Sequence, residues 1–416
     1  MQASLSSNQL VGIAVALSTI PNEKRRRKRK IWAKDLFLQR PRVRETGISE
    51  VLESDDFKLM RITPDAFYKL LKMVRPLIKK NNTVMREAVT EEERLIITLR
   101  HLATGKSYAD LQNSTAVSPS LMTSVIRETC DAIYLSLKSG IKMPTTEQQW
   151  LEVADGFEKK WNFPHCLGSF DGIHVAINKP AHSGAIFLNY KGYPSVVLLA
   201  LVDANYQFMY LNTGANGSAS GSTVFENTIF YQKYLSGKLN LPKDSPLPGM
   251  EEKVPYVFLG DCAFSLDENC MNTFPVKNID HPKRIFNYRL SRVRNLAENT
   301  LGILTSRFRV LRQISSVKLD TIDSIVLACC SLHNYLSKNN PSYLDDGVTV
   351  DYEDLQNIEF RPGEWRLDNK LVPLCHKSIR NRFQEGDDVR QIFVDYFNSV
   401  GSVPFQEDML KVIPEG

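Results

Sequence analysis

Three acidic residues interrupt apolar stretches of the sequence, where a carboxylate is costly to bury. Asp171 lies inside GSFDGIHV, Asp261 follows VFLG, and Glu298 lies on a predicted helix beside its apolar stripe. Carboxylates at strand ends and on a flanking helix can hold two Mg²⁺ ions about 4 Å apart. Such a pair of ions activates an attacking oxygen and stabilises the leaving oxygen of a phosphodiester. The three acids therefore predict metal-dependent phosphodiester chemistry.

Each acid also has a structural interpretation, which the sequence alone leaves open. Asp171 precedes a glycine and could form a turn, Asp261 could cap the following segment, and Glu298 could pair with Arg294 one helical turn back. A fourth acid, Asp203 in VDANYQF, is interpreted only as part of a hairpin turn.

The predicted helix around Glu298 contains Gly302, one turn further along. A glycine inside a helix costs about 1 kcal/mol relative to alanine, so we expect another group to approach the helix closely beside the carboxylate. Between residues 283 and 318, nine Lys and Arg residues accompany a single acid, Glu298. We expect arginines of this zone to neutralise DNA phosphates. They are Arg289, Arg292, Arg294, Arg307, Arg309 and Arg312.

The elements that must position these residues form a mixed α/β pattern. Short apolar segments predict strands, and segments with a helical period follow them. The predicted strands cover 165–177, 195–204, 207–213 and 254–260, and the predicted helices cover 224–235, 291–311, 321–336 and 388–397.

Upstream, from about residue 48 to 143, the periodicity is helical. A short helix, a turn and a longer helix opened by Ser118-Pro119 give a helix-turn-helix outline. The outward side of the longer helix offers one arginine, Arg127, beside Ser120, Thr123 and Ser124. Since one arginine supplies few DNA contacts, a plain or a protein-binding helical bundle remains an alternative.

Composition excludes several classes of protein. The 416 residues are 43% apolar and 24% charged, unlike a collagen-like, coiled-coil or fully disordered chain. The seven consecutive basic residues from Lys24 to Lys30 predict a nuclear localisation signal, with a solvated charge run as the alternative. Seven scattered cysteines predict reduced thiols inside a cell, and the apolar run from Leu10 to Leu17 is too short for a membrane span.

Several blocks of the sequence occur in the order found in one family. They are GSFDGIHV, NYKGYPSVVLLALVDANYQF, VFLGDCAFSL, FNYRLSRVRNLAENTLGILTSRFRVL and SLHNYL, preceded by RLIITLRHLATGKSYADLQ. From about residue 48 to 336 the chain resembles the PIF/Harbinger transposases and the nucleases derived from them. The resemblance implies an α/β fold with an RNase H-like DDE core, a mixed sheet flanked by helices, and an N-terminal helical domain. Asp171, Asp261 and Glu298 would be the catalytic residues and the ligands of Mg²⁺ or Mn²⁺.

The resulting prediction is a nuclear, metal-dependent DNA nuclease, with a cytoplasmic pool as an alternative location. We expect a basic arm at 1–47, a helical domain at 48–150, the nuclease domain at 151–340 and a C-terminal extension at 341–416. The resemblance implies DNA and a separate Myb/SANT-like protein as partners, with homo-oligomerisation left open and no membrane involved.

One position departs from the family. The family usually places a further Asp in a G-x-x-G-S-x-x-D-S stretch, where this chain has Gly221. Losing a carboxylate near divalent ions weakens their binding. The competing prediction is therefore a domesticated DNA- or chromatin-binding protein that has lost most of its catalysis.

Overall fold

A computed structural model describes most of the chain after residue 59. The described residues are 60–84, 87–261, 267–277, 279–313, 317–344, 350–367, 372–374 and 384–412. Within these ranges, no helix has the length and apolar character needed to cross a bilayer. The whole predicted arm, with its basic run at 24–30, lies outside the described residues, and so do parts of the C-terminal extension.

Four helices open the described chain, and their starts follow from capping residues. They are α1 (Pro64–Ile78), α2 (Glu91–Thr104), α3 (Tyr108–Thr115) and α4 (Pro119–Leu137). Thr90 and Glu93 form a reciprocal capping box at the start of α2, and Gly105 ends that helix with φ of 68°. The predicted outward residues of α4, Ser120, Thr123, Ser124 and Arg127, are exposed. The predicted helical character of this region is confirmed.

The next elements build the first half of a sheet. Helix α5 (Glu147–Trp161) leads into β1 (Cys166–Ala176), β2 (Ser195–Val202) and β3 (Phe208–Asn216). All three strands pair antiparallel, and every residue of β2 is buried. Between β2 and β3, Asp203 accepts hydrogen bonds from the backbone N–H groups of Asn205 and Gln207, which confirms the predicted turn.

The second half of the sheet runs parallel to β1. The predicted helix at 224–235 is divided in two, α6 (Gly221–Glu226) and α7 (Ile229–Leu235), because Thr228 starts a new capped helix. A small hairpin of β4 (Ser245–Pro246) and β5 (Lys253–Val254) follows. Strands β6 (Val257–Leu259) and β7 (Cys270–Met271) then complete a mixed sheet of order β3-β2-β1-β6-β7.

Two long helices flank this sheet. They are α8 (His281–Arg307), which packs against β1, and α9 (Leu319–Asn339). Ile173 and Val175 of β1 lie in one hydrophobic cluster with buried residues of α1 to α4, α8 and α9. The N-terminal helices therefore share their core with one face of the sheet. Whether residues 48–150 form a separate domain stays a prediction.

The C-terminal extension carries short elements that pack back onto the body. They are β8 (Tyr352–Asp354), β9 (Glu359–Arg361), α10 (Glu364–Leu367), α11 (Gln384–Phe397) and α12 (Gln406–Val412). Helix α11 confirms the predicted C-terminal helix. It joins the core through Phe393 and Phe397, which pack near the first half of α8.

Candidate active site

The register of two parallel strands brings Asp171 and Asp261 to the same level of the sheet. Ser169 of β1 pairs with Leu259 of β6. Asp171 lies two residues beyond Ser169, and Asp261 lies two residues beyond Leu259. Neighbouring strands are about 4.8 Å apart, so the two acids lie side by side just beyond the last paired residues of β1 and β6. Only this register, which the sequence does not display, shows that they are neighbours.

Asp171 lies in the middle of β1, opposite Ala200 of β2. Its Oδ1 accepts a hydrogen bond of 2.7 Å from the backbone N–H of Gly172. The pKa of Asp171 is raised to about 7, mainly by burial and in part by the negative charges of Glu298 and Asp261. The guanidinium of Arg294 opposes this rise in the pKa. Because both other acids act on Asp171 electrostatically, the structure gathers all three predicted carboxylates in one region.

Glu298 faces this region from α8. Ala297 and Leu301 of the same helix are buried in the cluster that contains Ile173, two residues after Asp171. Ser169 also donates a hydrogen bond of 3.4 Å to the backbone carbonyl of Arg294, which ties α8 to β1 one turn before Glu298. Helix and sheet are both rigid supports for a site.

Glu298 pairs with Arg366, a residue that sequence reasoning did not single out. Nη1 of Arg366 lies 3.2 Å from Oε1 of Glu298. Arg366 is held from its other side by Asp351, at 2.7 Å and 2.8 Å. The alternative pairing of Glu298 with Arg294 is not the one found, because Arg294 acts on Asp171 instead. Both new residues come from the C-terminal extension, to which the sequence assigned no role.

The close approach expected at Gly302 is confirmed, and the group that makes it is Trp365. A Cβ atom at Gly302 would lie less than 3.0 Å from three atoms of the Trp365 ring. The indole Nε1 of Trp365 also donates a hydrogen bond of 2.7 Å to Oδ1 of Asn299 on the same helix. Gly302 was thus the one sequence signal that pointed to the C-terminal extension, although it did not name the partner.

Two of the predicted DNA-binding arginines have other partners. Arg289 is 1% exposed, donates to the carbonyl of Gly401 at 3.1 Å and to Gln406 at 2.9 Å, and stacks on the Phe397 ring. Arg292 is 7% exposed and forms an ion pair with Glu353. Burial and these bonds tie up both guanidinium groups, so their placement does not favour phosphate contact.

Three of the other predicted arginines, Arg307, Arg309 and Arg312, form a positive zone around the C-terminal end of α8, whereas Arg294 lies near Asp171. Arg309 is exposed, and Arg307 is partly buried and donates to the Tyr343 carbonyl at 3.0 Å. The pKa of the neighbouring Arg61 is lowered to about 10, mainly by burial and in part by the positive charges of Arg309, Arg307 and Arg312. Four arginines therefore lie close enough to repel one another, which is typical of a surface that binds anions.

The donor chemistry of the three acids fits a hard divalent cation, since carboxylate oxygens are the ligands that Mg²⁺ prefers. Over the described ranges, no group of three His, Cys, Asp or Glu side chains is assembled at metal-binding spacing. The ion pair of Glu298 with Arg366 gives a physical reason, because one of the three carboxylates already has a cation beside it.

Residues 170–334 match the family described as DDE superfamily endonuclease, and this segment contains all three acids. The mixed sheet and its flanking helices are consistent with a domain of this kind. Over this segment the chain carries a DDE superfamily endonuclease domain, and it is similar to proteins named ALP1-like and HARBI1.

Three curated proteins illustrate the relationship. Protein ALP1-like of Arabidopsis thaliana is 25% identical over 257 residues, which cover 61% of this chain and 62% of that protein. HARBI1 of Mus musculus, provisionally named a nuclease, is 25% identical over 259 residues, with 61% and 69% covered. The Arabidopsis thaliana protein named antagonist of like heterochromatin protein 1 is 23% identical over 250 residues, with 59% and 62% covered. The aligned part thus spans about two thirds or less of each relative. No solved structure matches the chain.

Proposed function

We propose that the protein is a metal-dependent nuclease that hydrolyses DNA phosphodiesters, with Asp171, Asp261 and Glu298 holding two Mg²⁺ or Mn²⁺ ions. The observation that supports this most directly is the level placement of Asp171 and Asp261 on parallel strands, with Glu298 on the helix packed against them. The DDE endonuclease family and the names of the relatives agree with this chemistry. The sheet order supports an RNase H-like core.

The chain contributes rigid, negatively charged ligands. The pKa of about 7 means that Asp171 retains a proton near neutral pH when no cation is present. A cation would replace that proton, because a metal ion stabilises the ionised carboxylate. When bound, divalent ions lower the pKa of an attacking water and stabilise the leaving oxygen. Arg294 offsets part of the negative charge at Asp171. It would therefore reduce the repulsion among the three carboxylates when no ions are bound.

The arginine zone is proposed to bind the DNA backbone. Arg309 is exposed beside Arg61, Arg307 and Arg312 at the end of the helix that carries Glu298. Phosphate contacts of this kind position DNA without reading its sequence. The exposed side of α4 offers Arg127 beside neutral hydroxyl groups, so we propose that a separate Myb/SANT-like protein supplies sequence recognition. The basic run at 24–30 and that partner would both direct the protein to the nucleus.

Nicking of supercoiled plasmid DNA in Mg²⁺ tests the proposal. Asp171→Asn, Asp261→Asn and Glu298→Gln should each abolish nicking while the protein stays folded. Asp203→Asn is the matched control, because burial also raises the pKa of Asp203 but its carboxylate caps the β2–β3 turn. Nicking that survives in one of the three variants would exclude that residue from the site.

A second function is favoured by the Arg366–Glu298 ion pair and by Gly221. Both features reduce the negative charge available to divalent ions, as expected of a DNA- or chromatin-binding protein that has lost its reaction. One of the relatives is named for its antagonism of a heterochromatin protein. DNA binding by the wild type without nicking at any Mg²⁺ or Mn²⁺ concentration would support this function over the nuclease.

A further inference from the structure

We infer that two pieces of the C-terminal extension, residues 350–367 and 372–374, form an autoinhibitory strap over the DDE site, in which Arg366 takes the place of a cation at Glu298. This inference rests on the proposed role of Glu298 as a metal ligand. The strap covers the site in two places, on α8 and on the open edge of β1.

On α8, the strap is anchored strongly and reaches Glu298 weakly. Trp365 occupies the space over Gly302, and Asp351, with only 7% of its side chain exposed, grips Arg366 with two bonds. Arg366 gives Glu298 one contact, of 3.2 Å, and about a third of each side chain is exposed. An exposed pair of this kind is worth little, whereas the bidentate buried pair is strong. Glu298 can therefore exchange Arg366 for another cation while Arg366 itself stays in place.

On the sheet, the strap extends the line of β6. Strand β2 occupies one edge of β1, and β6 occupies the other edge only between Cys166 and Ser169. Beyond that point the backbone N–H of His174 donates to the carbonyl of Val372 at 2.9 Å. The backbone N–H of Leu374 donates to the carbonyl of Gly172 at 3.2 Å. Residues 372–374 are therefore a short antiparallel addition to the same edge.

This addition lies directly past the end of β6, where Asp261 is found, and alongside Asp171. Pro373 stands at its centre, and proline suits an outer strand because it has no N–H to pair. The side chain of Leu374 is 4% exposed and lies on Gly172, where a Cβ atom would be less than 3.0 Å from it. Residues 372–374 thus occupy the edge of β1 beside Asp171, while the Leu374 side chain packs with Phe170 on the opposite face of the strand.

The charge balance explains why Arg366 and the ions compete. Arg366 places its positive charge 3.2 Å from a carboxylate oxygen of Glu298, and that charge would repel a divalent ion bound to the same carboxylate. Removing the Arg366 charge should therefore tighten divalent binding. A residue that merely oriented Glu298 for the metal would give the opposite result, because loss of such a partner weakens metal affinity about 10- to 100-fold.

Binding of Mn²⁺ to the full chain, measured by electron paramagnetic resonance, tests the inference without relying on activity. Arg366→Gln should bind Mn²⁺ about two- to fivefold more tightly than the wild type. Because that variant leaves Asp351 buried without its cation, Asp351→Asn/Arg366→Gln is made as well. The double variant keeps the net charge of the protein, because it removes one acid and one base. It also removes the positive charge of Arg366 from the side of Glu298. Arg361→Gln, an exposed arginine of β9 paired only loosely with Glu359, is the matched control and should bind Mn²⁺ like the wild type.

Each outcome decides a different question. Tighter Mn²⁺ binding by both Arg366 variants, with Arg361→Gln unchanged, supports the strap. Equal or weaker binding by both variants, with melting temperatures retained, overturns it and leaves the proposed function standing. Absence of Mn²⁺ binding in the folded wild type and in both variants defeats the proposed function itself. Amide hydrogen exchange adds a second readout. With Mn²⁺ and duplex DNA bound, exchange at His174 and Leu374 should rise severalfold, and unchanged protection would overturn the covering role at β1.

Discussion

The ring of Trp365 fills the place that a side chain on Gly302 would need. Since these residues are far apart in sequence and adjacent in space, the glycine in α8 is an adaptation to the C-terminal extension. The same contact brings Arg366, the next residue, to Glu298. Gly302, which weakens the helix, is thereby linked through Trp365 to the positive charge that Arg366 places beside Glu298.

Gly302→Ala should destabilise the protein, although alanine is the better helix former. Helix propensity alone predicts a gain of about 1 kcal/mol. The added methyl group would overlap the Trp365 ring, and overpacking of this kind costs about 1–3 kcal/mol. We expect a net loss of about 1 kcal/mol in the free energy of unfolding, measured by urea denaturation. Gly140→Ala is the matched control, since no atom lies within 4 Å of its added Cβ, and it should change stability by less than about 0.5 kcal/mol.

Asp171→Asn should stabilise the metal-free protein at pH 8 and have less effect at pH 4. The ordinary pKa of Asp171 is 3.8, and in the folded protein it is about 7. A raised pKa means that the folded state holds the proton more tightly, so stability from this group is present at low pH and lost as the pH rises towards 7. Each pKa unit corresponds to about 1.4 kcal/mol, so the gain at pH 8 should be on the order of 2–4 kcal/mol. Melting curves in EDTA at the two pH values measure it. An equal effect at both would show that Asp171 ionises normally.

Arg289 of α8 and Arg309, which lies just beyond the end of that helix, should respond differently to removal. Arg289→Ala should cost on the order of 3 kcal/mol of stability, because it leaves buried carbonyl groups without their charged donor. Arg309→Ala should leave stability unchanged and reduce the slope of log K against log[salt] for DNA binding by about 0.9. Urea denaturation and DNA titrations at several salt concentrations check both. If Arg309→Ala leaves the slope unchanged, the DNA does not pass over this end of α8.

The sequence predicted most of the strands and helices well, because each depends on local patterning, whereas the catalytic role of the three acids stays a prediction. It could not predict the state of Arg289, because the partners of that side chain, Gly401 and Gln406, lie more than 110 residues further along the chain. For the same reason Arg366 was missed. The segment that carries it has no strong periodicity, and its contacts with Asp351 and Glu298 exist only in the folded chain.

The departure at Gly221 can be tested now that its conformation is known. Gly221 is the first residue of α6, directly after the capping residue Ser220, and its φ is not among the positive values of the described glycines. The backbone conformation at this buried position therefore suits an L-amino acid, and an acid in the first turn of a helix is favourable. We expect Gly221→Asp to fold with a melting temperature close to that of the wild type.

If the family resemblance extends to this position, the new carboxylate adds a hard oxygen ligand near the ions. Gly221→Asp should then lower the Mg²⁺ concentration needed for half-maximal nicking. Ser222→Asp is the matched control, because it places the same charge one residue further along α6 in a different direction. An equal response from both variants would indicate a general charge effect rather than a ligand at position 221. Two well-folded variants that bind DNA and never nick it, like an inactive wild type, would favour the DNA- or chromatin-binding function over the nuclease.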